Sequence, residues 1–168
     1  MPATAVATVK MRTDPLCHAT SCRDRGCSLE LTEAPAPYAL IQIDSEAFRV
    51  LDNQWRFPND QQRCDYLFVG GDDTGRGPWV VPVELTTGRK ETGDFLAQVN
   101  GGVLAANELL PKGIRCRFYP VGGCRRRVLG REVADELRRR SNRVNFRGQL
   151  RNIDLVECGT RLADALVE

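Results

Sequence analysis

Histidine, methionine and lysine are scarce in this 168-residue chain, with 1, 2 and 3 copies. The lone histidine, His18, sits near the N-terminus, which argues against catalysis that depends on a histidine base. No phosphate-binding glycine loop, Ser/His/Asp constellation or haem-attachment motif occurs. No apolar run reaches the ~18 residues of a membrane-spanning helix, so no membrane partner is expected. The opening "MPATAVATVKMRTDPLC" lacks the apolar stretch of a signal peptide. The expectation is a soluble, cytoplasmic protein. Internal repeats and low-complexity tracts are absent as well.

Arginine is plentiful, at 21 copies, and unevenly placed. The net charge of +2 hides a split. Residues 1–110 carry 10 Lys+Arg against 15 Asp+Glu, whereas residues 111–151 carry 13 against 3. Such a basic block predicts a phosphate-binding surface, hence nucleic acid, DNA or RNA, as partner. Arg125, Arg126, Arg127, Arg138, Arg139 and Arg140 are its candidate contacts. The plain alternative for any one of them is a solvated helix face. The preference for arginine over lysine carries no functional weight by itself.

Seven cysteines in a cytosolic protein predict free thiols or metal ligands, not disulfides. Cys17, Cys22 and Cys27 follow a C-x4-C-x4-C spacing with His18 adjacent. That is a candidate Zn²⁺ site, completed by His18 or Cys64. The alternative is an arm with three reduced thiols. Cys116, Cys124 and Cys158 read as small core residues.

Residues 1–27 show no sustained period and are expected to form a Cys-bearing arm, followed by one α/β domain over 28–168. Within it, "SLELTEAP" predicts a short helical turn and "YALIQID" a strand. "CDYLFVGG" and "PWVVPVELTT" predict antiparallel neighbours, the second unpaired or bulged on one edge at Pro82. The clearest helix spans "ETGDFLAQVNGGVLAANELLP", with Phe95, Val99, Val103, Ala106 and Leu110 on one stripe. Its Gly101–Gly102 pair predicts close packing on the sheet. "GIRCRFYPVGG" predicts a strand and "REVADELRRR" a helix. "RVNFRGQLRNIDLVECG" predicts a hairpin turning at Arg147–Gly148, and "TRLADALV" a last short helix. The fold class is α/β, a mixed central sheet flanked by helices.

Each of the two paired strands carries an acid that a buried strand does not need, Asp65 and Glu84. Paired carboxylates on rigid strands suit a hard divalent cation, Mg²⁺ or Mn²⁺. The ion lowers the pKa of a bound water and stabilises charge on a phosphate. The alternatives are a strand cap for Asp65 and an arginine partner for Glu84.

The order strand–Asp, turn, strand–Glu, helix with Gln98, strand resembles the PD-(D/E)xK nuclease superfamily over residues 28–125. The resemblance implies a restriction-endonuclease-like core, Asp65 and Glu84 as metal ligands, and a role for Gln98. It implies a further acid from the first element, Glu30 ahead of Glu33 and Glu46. The family's lysine position is held by Thr86, whose hydroxyl orients water but bears no charge. Lys90 is the candidate for a relocated basic group. Three states stay open: an active Mg²⁺- or Mn²⁺-dependent endonuclease, a weak enzyme, or a catalytically inactive nuclease-fold subunit of a defence or repair complex. Homo-oligomers are compatible with each.

Overall fold

The β-branched and aromatic runs near the middle of the chain form the centre of a mixed sheet in the computed structural model, which describes residues 4–49, 63–71, 75–86, 92–125, 131–139 and 142–166. The elements are α1 (Ala5–Arg12), β1 (Cys22–Asp24), β2 (Cys27–Leu29), β3 (Tyr38–Gln42), β4 (Tyr66–Gly70) and β5 (Trp79–Thr86). They continue with α2 (Thr92–Leu109), β6 (Arg117–Phe118), β7 (Val121–Cys124), α3 (Arg131–Leu137), β8 (Val144–Phe146), β9 (Gln149–Arg151), β10 (Asp154–Glu157) and α4 (Leu162–Ala165). The sheet order is β10-β7-β5-β4-β3, with β6 also on β5. β3, β4 and β5 are antiparallel neighbours, while β5, β7 and β10 run parallel.

β6 and β7 are two halves of one strand. Trp79↔Arg117 and Val83↔Val121 share a register, and that register sets Pro120 opposite Pro82. Tyr119 N–H donates to the Val80 carbonyl, so alternate β5 backbone groups face this strand. Pro82 lacks the N–H of the next rung, and the ladder breaks there. On its other side Pro82 stays paired with Leu67 of β4.

Alternation divides β5 and β4 between two apolar layers. Leu67, Val69 and Val80 join Val6 and Val9 of α1 and Phe95, Val99 and Val103 of α2. Tyr66, Phe68, Trp79, Val81, Val83 and Leu85 face the β1–β2 hairpin and Leu162 of α4. The expected α2 stripe is buried along its length. Gly102 lets the helix down onto the sheet: a Cβ there would strike Cys64 Sγ and come within 3.0 Å of Pro82.

The first 27 residues do more than the expected arm. Val6, Val9 and Cys17 enter one core layer, and Cys22 and Cys27 the other. "SLELTEAP" does not start a helical turn; its first residues complete β2, paired with β1. The reason is tertiary: Cys27 and Leu29 alternate onto the sheet, and the tail clasps the strand. Gly159 N donates to Ser28 O, Glu30 N to Thr160 O and Leu162 N to Glu30 O. Cys27 is joined to Cys158 by a disulfide, so neither is the free thiol expected. Cys17, Cys22, Cys64, Cys116 and Cys124 carry free thiols.

The β8–β9 hairpin turns at Arg147–Gly148 as expected, with φ of 49° and 87°. Left-handed arginine is uncommon, and this one has a task. Its guanidinium donates to the carbonyls of Asn107, Leu110 and Pro111, closing the C-terminus of α2. The segment after the hairpin is not part of it: β10 adds to the central sheet, parallel to β7.

Candidate functional site

β4 and β5 pair with Tyr66 opposite Val83, and one further step of that register sets Asp65 opposite Glu84. Residues opposite one another across antiparallel strands project from the same face. Glu84 takes the face of Val80, the side covered by α2. Asp65 lies one residue before β4, where the strand alternation no longer holds, and its charge acts on Cys22 and Tyr66 of the other layer as well as on Cys64. Asp65 is half-buried and Glu84 only 2 % exposed. Asp65 Oδ2 accepts a hydrogen bond of 2.7 Å from Leu85 N–H, so the side chain continues the ladder past the end of β4. A third group reports on both acids. Burial pushes the Cys64 thiol well up, and the charges of Glu84 and Asp65 add to the effect.

Thr86 lies two residues beyond Glu84, on the same face of β5, and is 8 % exposed. Gln98 belongs to the same neighbourhood by helix geometry. The β5–α2–β7 unit joins parallel strands, so α2 must run back antiparallel to β5. Gly102 sits over Pro82. Four helical residues cover about 6 Å, and two strand residues about 6.6 Å. Stepping from Gly102 to Gln98 and from Pro82 to Glu84 therefore arrives at the same level. Gln98 is half-buried there. Glu84, Thr86 and Gln98 thus lie at one level on the α2 side of β5, with Asp65 bonded to the adjoining Leu85 N–H.

Other expected site residues fall elsewhere. Glu30 is exposed just after β2, on the layer covering the opposite face, and its backbone pairs in parallel with that of Arg161. Glu33 also faces that tail, 3.1 Å from Arg161. Glu46 is exposed in the helical segment beginning at residue 46. The structure does not gather Cys17, Cys22 and Cys27 for zinc. Cys17 packs in the α1–α2 layer, Cys22 and Cys27 in the other, and Cys27 is spent on its disulfide. Among the described residues no group of three His, Cys, Asp or Glu is placed to hold a metal. Lys90, Arg126, Arg127 and Arg140 lie outside the described residues.

The basic block divides in two. Arg117 is structural: it donates to the Gly77 and Gly71 carbonyls and lies 4.5 Å over the Trp79 ring. Arg147 closes α2. Arg125, Arg138, Arg139, Arg143 and Arg151 are exposed. Arg143 and Arg151 do not stand out in the sequence, because single arginines in a hairpin carry no period. Cys64 escapes notice as a neighbour of the acids for a related reason: its side chain meets α2 in space, 38 residues away in sequence at Gly102. No helix among the described residues is long and apolar enough to cross a membrane. The chain matches no protein-family model, no curated protein and no solved structure.

Proposed function

We propose that the chain is a metal-dependent, nuclease-like protein that binds nucleic acid along its basic segment and presents a phosphodiester to Asp65 and Glu84. The observation that carries this reading is the placement of these two carboxylates on neighbouring pieces of chain, with Asp65 Oδ2 held by the N–H of Leu85, the residue after Glu84, and both charges acting on the Cys64 thiol. Burying carboxylates is costly unless something compensates, and a second acid beside the first raises that cost. A divalent cation is one such compensation. The order within the central sheet supports the same reading: three antiparallel strands, a helix bearing Gln98, then a parallel strand.

The donor set fits Mg²⁺ or Mn²⁺. Asp65 and Glu84 would hold the ion through hard oxygens, with water and phosphate oxygens completing its shell. Burial and the two acids push the Cys64 thiol up, and its soft sulfur is not a preferred donor for Mg²⁺ or Mn²⁺. When bound, the ion supplies Lewis-acid stabilisation and a more acidic water. The protein's own groups do the rest. Leu85 N–H fixes the Asp65 carboxylate. The Thr86 hydroxyl can orient a water but cannot neutralise phosphate charge as an ammonium does. Gln98 offers an amide from the overlying helix.

A second reading rests on Thr86. A neutral residue at the place of a charged one, with two acids and no third beside them among the described residues, also describes a nuclease fold kept for binding, within a defence or repair complex. Cleavage of plasmid, single-stranded DNA and RNA with Mn²⁺ separates the two, alongside calorimetric titration of the metal. The first reading expects Mn²⁺ binding and slow cutting, raised about 10²-fold or more by Thr86→Lys, the scale of one charge-stabilising group. Wild type and Thr86→Lys both inert, with no Mn²⁺ bound, leave the binding protein.

A further inference from the structure

A cavity of about 440 Å³ opens at the β10 edge of the sheet, within the basic segment. Arg138, Arg143 and Arg151 line it, from the end of α3, the approach to β8, and the end of β9. Three separate pieces of chain therefore bring one charge to one hollow. They are held there: Asn152 Nδ2 donates to the Arg138 carbonyl at 3.0 Å, tying the end of α3 to the segment after β9. Arg138 has an exposed partner, Asp135, at 3.6 Å, a pair of little energetic weight. Leu150, 54 % exposed, and Leu155 give the hollow an apolar part. Its one acid, Asp154, is engaged at 2.8 Å by the Tyr119 hydroxyl.

We propose that this cavity is a nucleotide subsite, in which Arg138, Arg143 and Arg151 grip a phosphate of a nucleic-acid strand while its sugar or base lies over Leu150 and Leu155. The proposal rests on the nucleic-acid reading above and adds where the strand is held. Guanidinium forks match pairs of phosphate oxygens. The volume falls within the ~300–1,000 Å³ of small-molecule sites, which suits a nucleotide unit better than a bare ion. The bond from Tyr119 keeps the Asp154 carboxylate turned to its own partner, so the anion belongs on the arginine side.

The test is anisotropy of a labelled single-stranded oligonucleotide over a salt series, for wild type, Arg143→Glu/Arg151→Glu, and Arg23→Glu as a control at the exposed position of β1. Matched thermal melts show that the variants are folded. The expected result is at least a 10-fold loss of affinity in the double variant, with no change in the control. The salt slope should flatten by about 0.7 for each phosphate no longer neutralised. Equal binding by wild type and double variant overturns the subsite and leaves the functional reading standing. No binding by the wild type at any salt overturns both. Competition with a 5′-mononucleotide, inorganic phosphate, and oligonucleotides with and without a 5′-phosphate identifies the source. A requirement for the 5′-phosphate marks a strand end, indifference to it an internal phosphate, and displacement by phosphate alone, without any strand preference, counts against a nucleotide subsite.

Discussion

The two faces of the central sheet are built from the same strands but are unlike in chemistry. The face toward β1, β2 and α4 is apolar along β5, with Trp79, Val81, Val83 and Leu85 in sequence, and is stapled by Cys27–Cys158. The face toward α2 begins the same way at Val80, then turns polar at Glu84 and Thr86, with Asp65 alongside. Apolar residues at those positions would serve packing on both faces equally. One face is apolar throughout β5, while the other accepts buried polarity at one end, the cost that the proposed cation would offset. Substitutions on the two faces should accordingly part company: one set should cost activity, the other stability.

The largest expected effect is on the polar face. Asp65→Asn and Glu84→Gln should each lower Mn²⁺-dependent cleavage by about 10²–10⁴, the scale of losing transition-state electrostatics or proton transfer. Thermal midpoints should hold or rise, because removing buried charge relieves a cost. Asp65→Ala should differ in stability, losing a further ~1–3 kcal/mol as Leu85 N–H is left without its acceptor. Carboxamide variants that melt early and cut normally would make these acids structural and erase the contrast between the faces.

On the apolar face the opposite pattern is expected. Cys158→Ser opens a bridge between residues 131 apart in sequence. Removing such a link typically costs about 2–5 kcal/mol, chiefly by freeing the unfolded chain. Chemical denaturation of the variant should show that loss, with cleavage and nucleic-acid affinity retained below its melting temperature. A variant as stable as the wild type would mean that the backbone clasp from Ser28 to Leu162 suffices alone.

Which features can be read from sequence follows from the range of the interactions behind them. The α2 stripe, the β4–β5 pair and the Arg147–Gly148 turn are set by period and local turn chemistry, so residues within a few positions of one another announce them. Asp65 and Glu84 are legible because a hairpin converts short sequence separation into adjacency. The errors are long-range. "SLELT" has no strand signal strong enough to beat a helical turn until the tail pairs with it. Cys27 and Cys158 meet only because the hairpin and the end of β10 lie over the same face. β10 reads locally as more of the β8–β9 hairpin, and only the edge that β7 offers draws it into the sheet. The Cys17–Cys22–Cys27 spacing misleads for the complementary reason: residues close in sequence are divided between opposite faces.

The smallest effect tests the N-terminal segment, which carries the chain's one histidine, His18. It is half-buried, and its Nε2 lies 2.6 Å from Thr13 Oγ1. Burial lowers its pKa from the usual 6.5, Lys10 lowers it further, and Asp14 opposes them. Thr13 Oγ1 already donates toward the Val9 carbonyl at 2.8 Å, so the contact pins the turn after α1. The sign follows from linkage. Between 6.5 and the lowered value the unfolded chain binds the proton and the folded chain does not, so stability rises with pH through that window and is lost as pH falls. Below the lowered value both states are protonated and the dependence ends. His18→Gln should remove this shallow slope while leaving stability at about pH 8 nearly unchanged, as measured by urea midpoints from about pH 5 to pH 8. A slope that survives in His18→Gln would assign the acid sensitivity to groups other than this histidine.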